Sequence, residues 1–193
     1  MRTLATAGFL LLALTACQPR GLSITDAVPP RIVKGCDVRV QSTWVVDVTQ
    51  SYSVEAVASG PTCAQDVATL VVRSRDGDPI LAWAGITAHL FGLHDAPDAA
   101  AMNTALSEWS NQKNNSLSKS SALPEWQEGR TGPGADGDEF PFHAESWFDR
   151  ATWERMRTED APLFAFPQGR ESLAVFLLRD ARLEPIGVQQ FPG

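Results

Sequence analysis

From Val38 to Val48 the chain alternates. Val38, Val40, Trp44, Val46 and Val48 are apolar, and Arg39, Gln41, Thr43, Asp47 and Thr49 between them are polar. A two-residue period places one set on each face of a pleated strand, so this stretch reads as a half-buried β-strand. Only Ser42 and Val45 are out of step. After a Gln50-Ser51 turn, Tyr52 to Ala58 reads as a second strand, and Gly60-Pro61 breaks the chain. Val67 to Arg73 is a third strand. Arg75-Asp76-Gly77-Asp78 carries the Asp-Gly hairpin signal, and Pro79 to Ala84 returns as a fourth. Short turns throughout predict an antiparallel meander.

The period then lengthens. Ile86 to Leu93 has the character of one or two helical turns. Asp95 or Asp98 is placed to cap a clearer helix from Pro97 to about Asn111, with Ala101, Ala105, Leu106 and Trp109 on one face. Residues 111–145 follow no period and are rich in Ser, Asn, Gly, Pro and acid; loops of such length tend to be functional or mobile. Trp147 to Thr158 predicts a second helix, with Phe148, Trp153 and Met156 apolar and Glu154 and Arg157 outside, ended by Pro162. Three further strands close the chain: Leu163 to Phe166, Ser172 to Arg179 and Leu183 to Phe191. The expected fold is α+β: a mainly antiparallel sheet of about seven strands in two groups, with two helices inserted between the groups and lying on one face. The pattern leaves open whether the two groups form one sheet.

The start of the chain follows a different logic. Met1-Arg2 is a short positive segment, and Leu4 to Leu14 is an apolar run too short to cross a bilayer, which takes about 20 residues. It ends in Leu14-Thr15-Ala16-Cys17: a branched residue, two small ones, then cysteine. This resembles the lipobox of bacterial lipoproteins. The resemblance implies that residues 1–16 are removed as a signal peptide and that Cys17 becomes an acylated N-terminus. Residues 17–35 then form a lipidated tether and residues 36–193 a single domain. At about 0.8 kcal/mol per buried methylene, several acyl chains hold a soluble domain on a membrane almost permanently. Gln18 follows the cysteine where an aspartate commonly favours retention at the inner membrane, which implies the periplasmic face of the outer membrane. In the tether, Pro29-Pro30 favours an extended chain, while Ile24, Val28, Ile32 and Val33 suggest that its last part lies against the domain.

Removing residues 1–16 takes one arginine with it, leaving 15 basic against 23 acidic side chains and a formal charge of −8. That balance argues against nucleic acid and against spreading on anionic lipid. With Cys17 acylated, Cys36 and Cys63 remain as an even pair in an oxidising compartment, and a disulfide is the simplest reading. The chain-entropy estimate gives it roughly 3.5 kcal/mol.

Candidate chemistry is sparse. His89 and His94 are five apart, where two zinc ligands on one helix face need three or four. Asp136-Gly137-Asp138-Glu139 opens like a calcium loop but continues with Phe140-Pro141 in place of the required ligand and glycine. Glu125 and Glu128 lack a readable spacing for glycoside hydrolysis, and Ser172 lies outside any nucleophile elbow. No catalytic residue, metal site or cofactor is expected from these. Trp44, Trp83, Trp109, Trp147 and Trp153 fall at core positions; Trp126 falls inside the polar loop. Trp126, Phe140, Phe142 and His143 therefore form the candidate binding patch, for an envelope protein or for cell-wall glycan by ring stacking. The expectation is a non-catalytic binding or scaffold lipoprotein. Alternatives are an envelope hydrolase with an unrecognised site and an inhibitor of a secreted hydrolase such as lysozyme.

Overall fold

A computed structural model describes residues 35–113, 115–134 and 140–191. The expected signal peptide, Cys17, the expected tether up to residue 34 and the acidic run 136–139 lie outside these residues.

The domain is α+β, with two four-stranded antiparallel sheets, two helices and one disulfide. The first sheet is the expected meander, β1 (Cys36–Val45), β2 (Ser51–Gly60), β3 (Val67–Arg73) and β4 (Pro79–Ile86), in sequence order. β1 stops at Val45 rather than running to Val48. The reason is local: the Asp47 carboxylate accepts from the Thr49 and Gln50 amides and from the Thr49 hydroxyl, and Val46 N–H bonds Gln50 O, which bends the chain into the turn. Tyr52, Val54, Ala56 and Ala58 on β2 and Ala68, Leu70 and Val72 on β3 point into the core, as period-2 patterning requires.

The second sheet has the order β5-β8-β7-β6, built from β5 (Phe142–Ala144), β6 (Leu163–Pro167), β7 (Ser172–Arg179) and β8 (Arg182–Gln190). Its strands β6 and β7 are covered on both sides. Along β6, Phe164 and Phe166 join the core shared with the first sheet, while Leu163 and Ala165 join a second core behind. The near-continuous apolar run of β6 is the mark of such a doubly covered strand. Phe166 ties the layers together, with its ring 5.3 Å from that of Trp83 and 5.8 Å from that of Trp109.

The helices do not share a face, contrary to the expectation. α1 (Ala99–Trp109), capped by the Asp98 carboxylate on the Ala101 amide, delivers Met102, Leu106 and Trp109 to the first core. α2 (Arg150–Thr158) delivers Trp153 and Met156 to the second. α2 also begins three residues later than the periodicity suggests, because Asp149 is its N-cap and bonds the Thr152 amide. Trp147 consequently sits before the helix and is 63 % exposed, not a core residue.

The disulfide joins Cys36, at the entry of β1, to Cys63, in a 3-10 turn (Cys63–Gln65) that leads into β3. Both half-cystines are buried.

Candidate functional site

The long loop is not free; it is sewn to α2 and β6 along most of its described length. Ser120 is fully buried. Its hydroxyl donates to Met156 O at 2.7 Å and accepts from the Ala161 amide at 2.9 Å, and its own amide donates to Ala161 O. Lys119 and Ser121 both bond the Asp160 carboxylate, which they hold below the usual carboxylate range. Further along, Arg157 Nε donates to Leu123 O, Trp153 Nε1 to Pro124 O, and the Trp126 amide to Glu154 Oε1 at 2.8 Å. Glu154 also accepts from Arg157 Nη1 at 2.7 Å. The Trp126 amide first, and then the Arg157 guanidinium, hold the Glu154 carboxyl below its usual range, against the opposing effect of burial. Glu154 and Arg157 are thus not simply an outer helix face. They fasten the loop.

The second arm of the loop forms β5, which the sequence pattern does not show. Three residues are too short to display a period, and pairing with β8 makes the strand: Phe142 opposite Gln189, His143 opposite Val188 and Ala144 opposite Gly187. Gly187 is required there. A Cβ on it would lie 2.4 Å from His143 O and 2.6 Å from the Phe142 ring, and its φ of +156° suits glycine alone. Gly134, at φ +78°, brings the first arm close to the Phe142 backbone.

Between the two arms lies a groove of about 240 Å³. Trp126, Pro133, Pro141 and Phe148 supply its apolar walls, and Arg130, Thr131, His143, Glu145 and Ser146 its polar ones. Trp126 is half-buried, and its Nε1 donates to Arg130 O at 2.9 Å, which fixes the indole against the turn that forms one wall. Pro141 O and the Glu145 amide bond β8, so by antiparallel alternation the peptide groups of Phe142 and Ala144 face away from β8; Gly134 lies against those of Phe142, and Ala144 lines the groove. Ala144 has no hydrogen-bond partner on that side among the described residues.

Of the predicted patch, Trp126 and His143 come together here. Phe142 also lines the groove, but its ring is 4 % exposed and packs 5.4 Å from that of Trp153 in the second core. Phe140 is half-exposed and lies outside the lining. Pro141 lies inside the Phe140-to-His143 stretch of that patch, whereas nothing in the sequence pattern assigns Pro133, Arg130 and Phe148 to it; the Pro and Gly punctuation around Trp126 is the available signal. Elsewhere, His94 has its Nδ1 3.1 Å from Leu90 O and its Nε2 3.1 Å from Asp95, while His89 is exposed, so the two histidines do not converge. His143, Glu145 and Ser146 share the groove, but no hydrogen bond joins them into a nucleophile–base pair.

Fold and groove together define an α+β domain with a groove beside β5, at the edge of its second sheet. No protein-family model matches the chain, and neither a curated protein nor a solved structure matches it.

Proposed function

We propose that the chain is a lipid-anchored envelope protein whose domain binds an extended segment of a partner protein in the groove at β5. The lipobox-like Leu14-Thr15-Ala16-Cys17 supports the anchor, with Gln18 favouring the outer membrane. The observation that carries the binding reading is the coincidence of outward-facing Ala144 peptide groups with the fixed Trp126 ring. An edge strand with unpaired peptide groups accepts an added strand through main-chain bonds, and an adjoining aromatic pocket selects one of its side chains. The two arms are held by α2 and β8, so little ordering entropy is lost on binding. Cell-wall glycan stacked on Trp126 is the competing occupant.

Envelope extract captured by the mature wild-type protein and by Trp126→Ala decides the matter. Wild type is expected to retain a protein partner that Trp126→Ala loses, with the Ala144 amide protected from hydrogen exchange in the complex. Identical partner sets overturn the groove as the recognition element; retention of glycan fragments in place of protein overturns the choice of ligand. Intact-mass measurement of the purified N-terminus tests the anchor, and an unacylated first residue removes it.

A further inference from the structure

Asp66 is fully buried, and neither of its carboxylate oxygens has a hydrogen-bond partner among the described residues. Buried carboxylates are ordinarily paired or bound to a cation, because an isolated charge out of water is expensive. Here the neighbours are two sulfurs. One ligand atom from each of Cys36, Cys63 and Asp66 lies within 4.8 Å of the others, and all three residues are buried.

We propose that, once the Cys36–Cys63 bond is reduced, these three residues form a site for one thiophilic divalent cation, with zinc the best fit. Zinc takes thiolates at about 2.3 Å and carboxylate oxygen at about 2.0–2.2 Å, so its tetrahedral ligand atoms lie some 3.3–3.8 Å apart. The existing cluster reaches that spacing through side-chain rotation: the sulfurs separate from their bond and the backbone, with Cα atoms 5.1 Å apart, stays in place. The two thiolates balance the cation's charge, the carboxylate leaves the cluster with one net negative charge, and three protein ligands leave the fourth position to water.

The backbone of the site does not depend on the sulfur–sulfur bond. Cys36 is held by the ladder between β1 and β2, opposite Gly60. Thr87, also fully buried, secures the backbone of the other two ligands: its hydroxyl shares its one proton between Cys63 O at 2.9 Å and Asp66 O at 3.2 Å, and its amide donates to Asp66 O at 3.0 Å. Gly60 leaves room for the carboxylate, since a Cβ there would lie 2.4 Å from Asp66 Oδ1. Pro61, Thr62, Ala64 and Gln65 are exposed, so a single turn separates the cluster from solvent.

The chemistry balances with a dithiol as reductant. Two electrons cleave the protein disulfide, each cysteine sulfur takes up a proton, and the dithiol becomes a disulfide. The cation then displaces both thiol protons. Cys36 and Cys63 thus act as a covalent staple when oxidised and as metal ligands when reduced, with Asp66 in waiting beside them.

The test is titration of the mature protein with cobalt(II), and then zinc in competition, before and after reduction and removal of the reductant. Reduced wild type is expected to bind one equivalent with a thiolate-to-cobalt charge-transfer band and with release of protons; oxidised protein is expected to show neither. Asp66→Asn should retain a thiolate band but bind at least about tenfold more weakly, since even loss of an outer-shell partner costs about 10–100-fold. X-ray absorption of the zinc-loaded wild type, which needs no variant, should show two sulfur neighbours and a remainder of oxygen. Absence of the band after reduction, unchanged affinity in Asp66→Asn, or a shell without sulfur overturns the proposal.

Discussion

The side-chain amide of Gln112 pairs with both backbone groups of Ala165: Nε2 donates to the carbonyl at 2.9 Å, and Oε1 accepts from the amide at 3.2 Å. Ala165 lies on β6, the edge of the second sheet, and Gln112 there occupies the place of a further strand. The neighbouring edge positions are covered in the same way: Leu163 N–H by Ser118 O, and Pro167 O by Trp109 Nε1 at 2.7 Å. An uncovered edge is a template for pairing with another chain, and this cover occupies the Leu163 amide, both groups of Ala165 and the Pro167 carbonyl.

Gln112→Leu, which keeps the bulk and removes the amide, orphans the Ala165 N–H. A loss on the order of 1–3 kcal/mol in denaturant unfolding is expected, together with concentration-dependent association in light scattering. A variant as stable and as monodisperse as wild type would show that the edge is closed by other means.

Asp66 makes the oxidised protein sensitive to pH in an unusual direction. Burial, and secondarily the charge of Asp37, push its carboxyl above the ordinary value of 3.8. With the folded-state value raised, its contribution to stability is fully present below the unfolded value and is lost as pH rises through the folded one. Thermal melts of wild type and Asp66→Asn should therefore differ in slope above about pH 4, with the wild type falling relative to the variant as pH rises. Parallel pH profiles would contradict the burial of an unpartnered carboxylate.

Glu154 acts in the opposite sense. Its folded-state value is lowered, so the stability it contributes is present above the unfolded value, near 4.5, and is lost as pH falls through the folded one. Acidification should release the Trp126 amide, seen as faster hydrogen exchange there relative to amides of β3. Glu154→Gln keeps an acceptor but no charge, and should remove the acid dependence. Exchange at Trp126 that ignores pH in the wild type would mean that the loop is held elsewhere.

Gly187→Ala places a methyl 2.4 Å from His143 O, under the middle of β5. Displacing the strand should cost about 1–3 kcal/mol, and it should weaken capture of a groove ligand more than a remote substitution of equal destabilisation does. Equal losses in the two variants would detach β5 from binding.

Much of the architecture is written in local sequence. β1 to β4 follow from a two-residue period broken by Asp-Gly and Gly-Pro turns, and α1 begins where Asp98 caps it, because alternation and capping involve only near neighbours along the chain. The pairing of Cys36 with Cys63 is the one that the cysteine count leads one to expect if Cys17 is acylated, as the lipobox resemblance implies. Trp126 stands out because an aromatic residue inside a polar loop contradicts its surroundings.

Tertiary structure decided what depends on contacts between distant segments. β5 exists only through β8 and Gly187; the separation into two sheets rests on β6 and β7 finding apolar partners on both faces; and Trp147 is exposed because Asp149 starts α2 beyond it. Asp66 is an ordinary acidic residue in sequence, and only the approach of β1, the Cys63 turn and Thr87 encloses it beside two sulfurs. Periodicity records which way a side chain faces. What it meets there is set by segments brought together from elsewhere in the chain, and that is where both the groove and the Asp66 cluster arise.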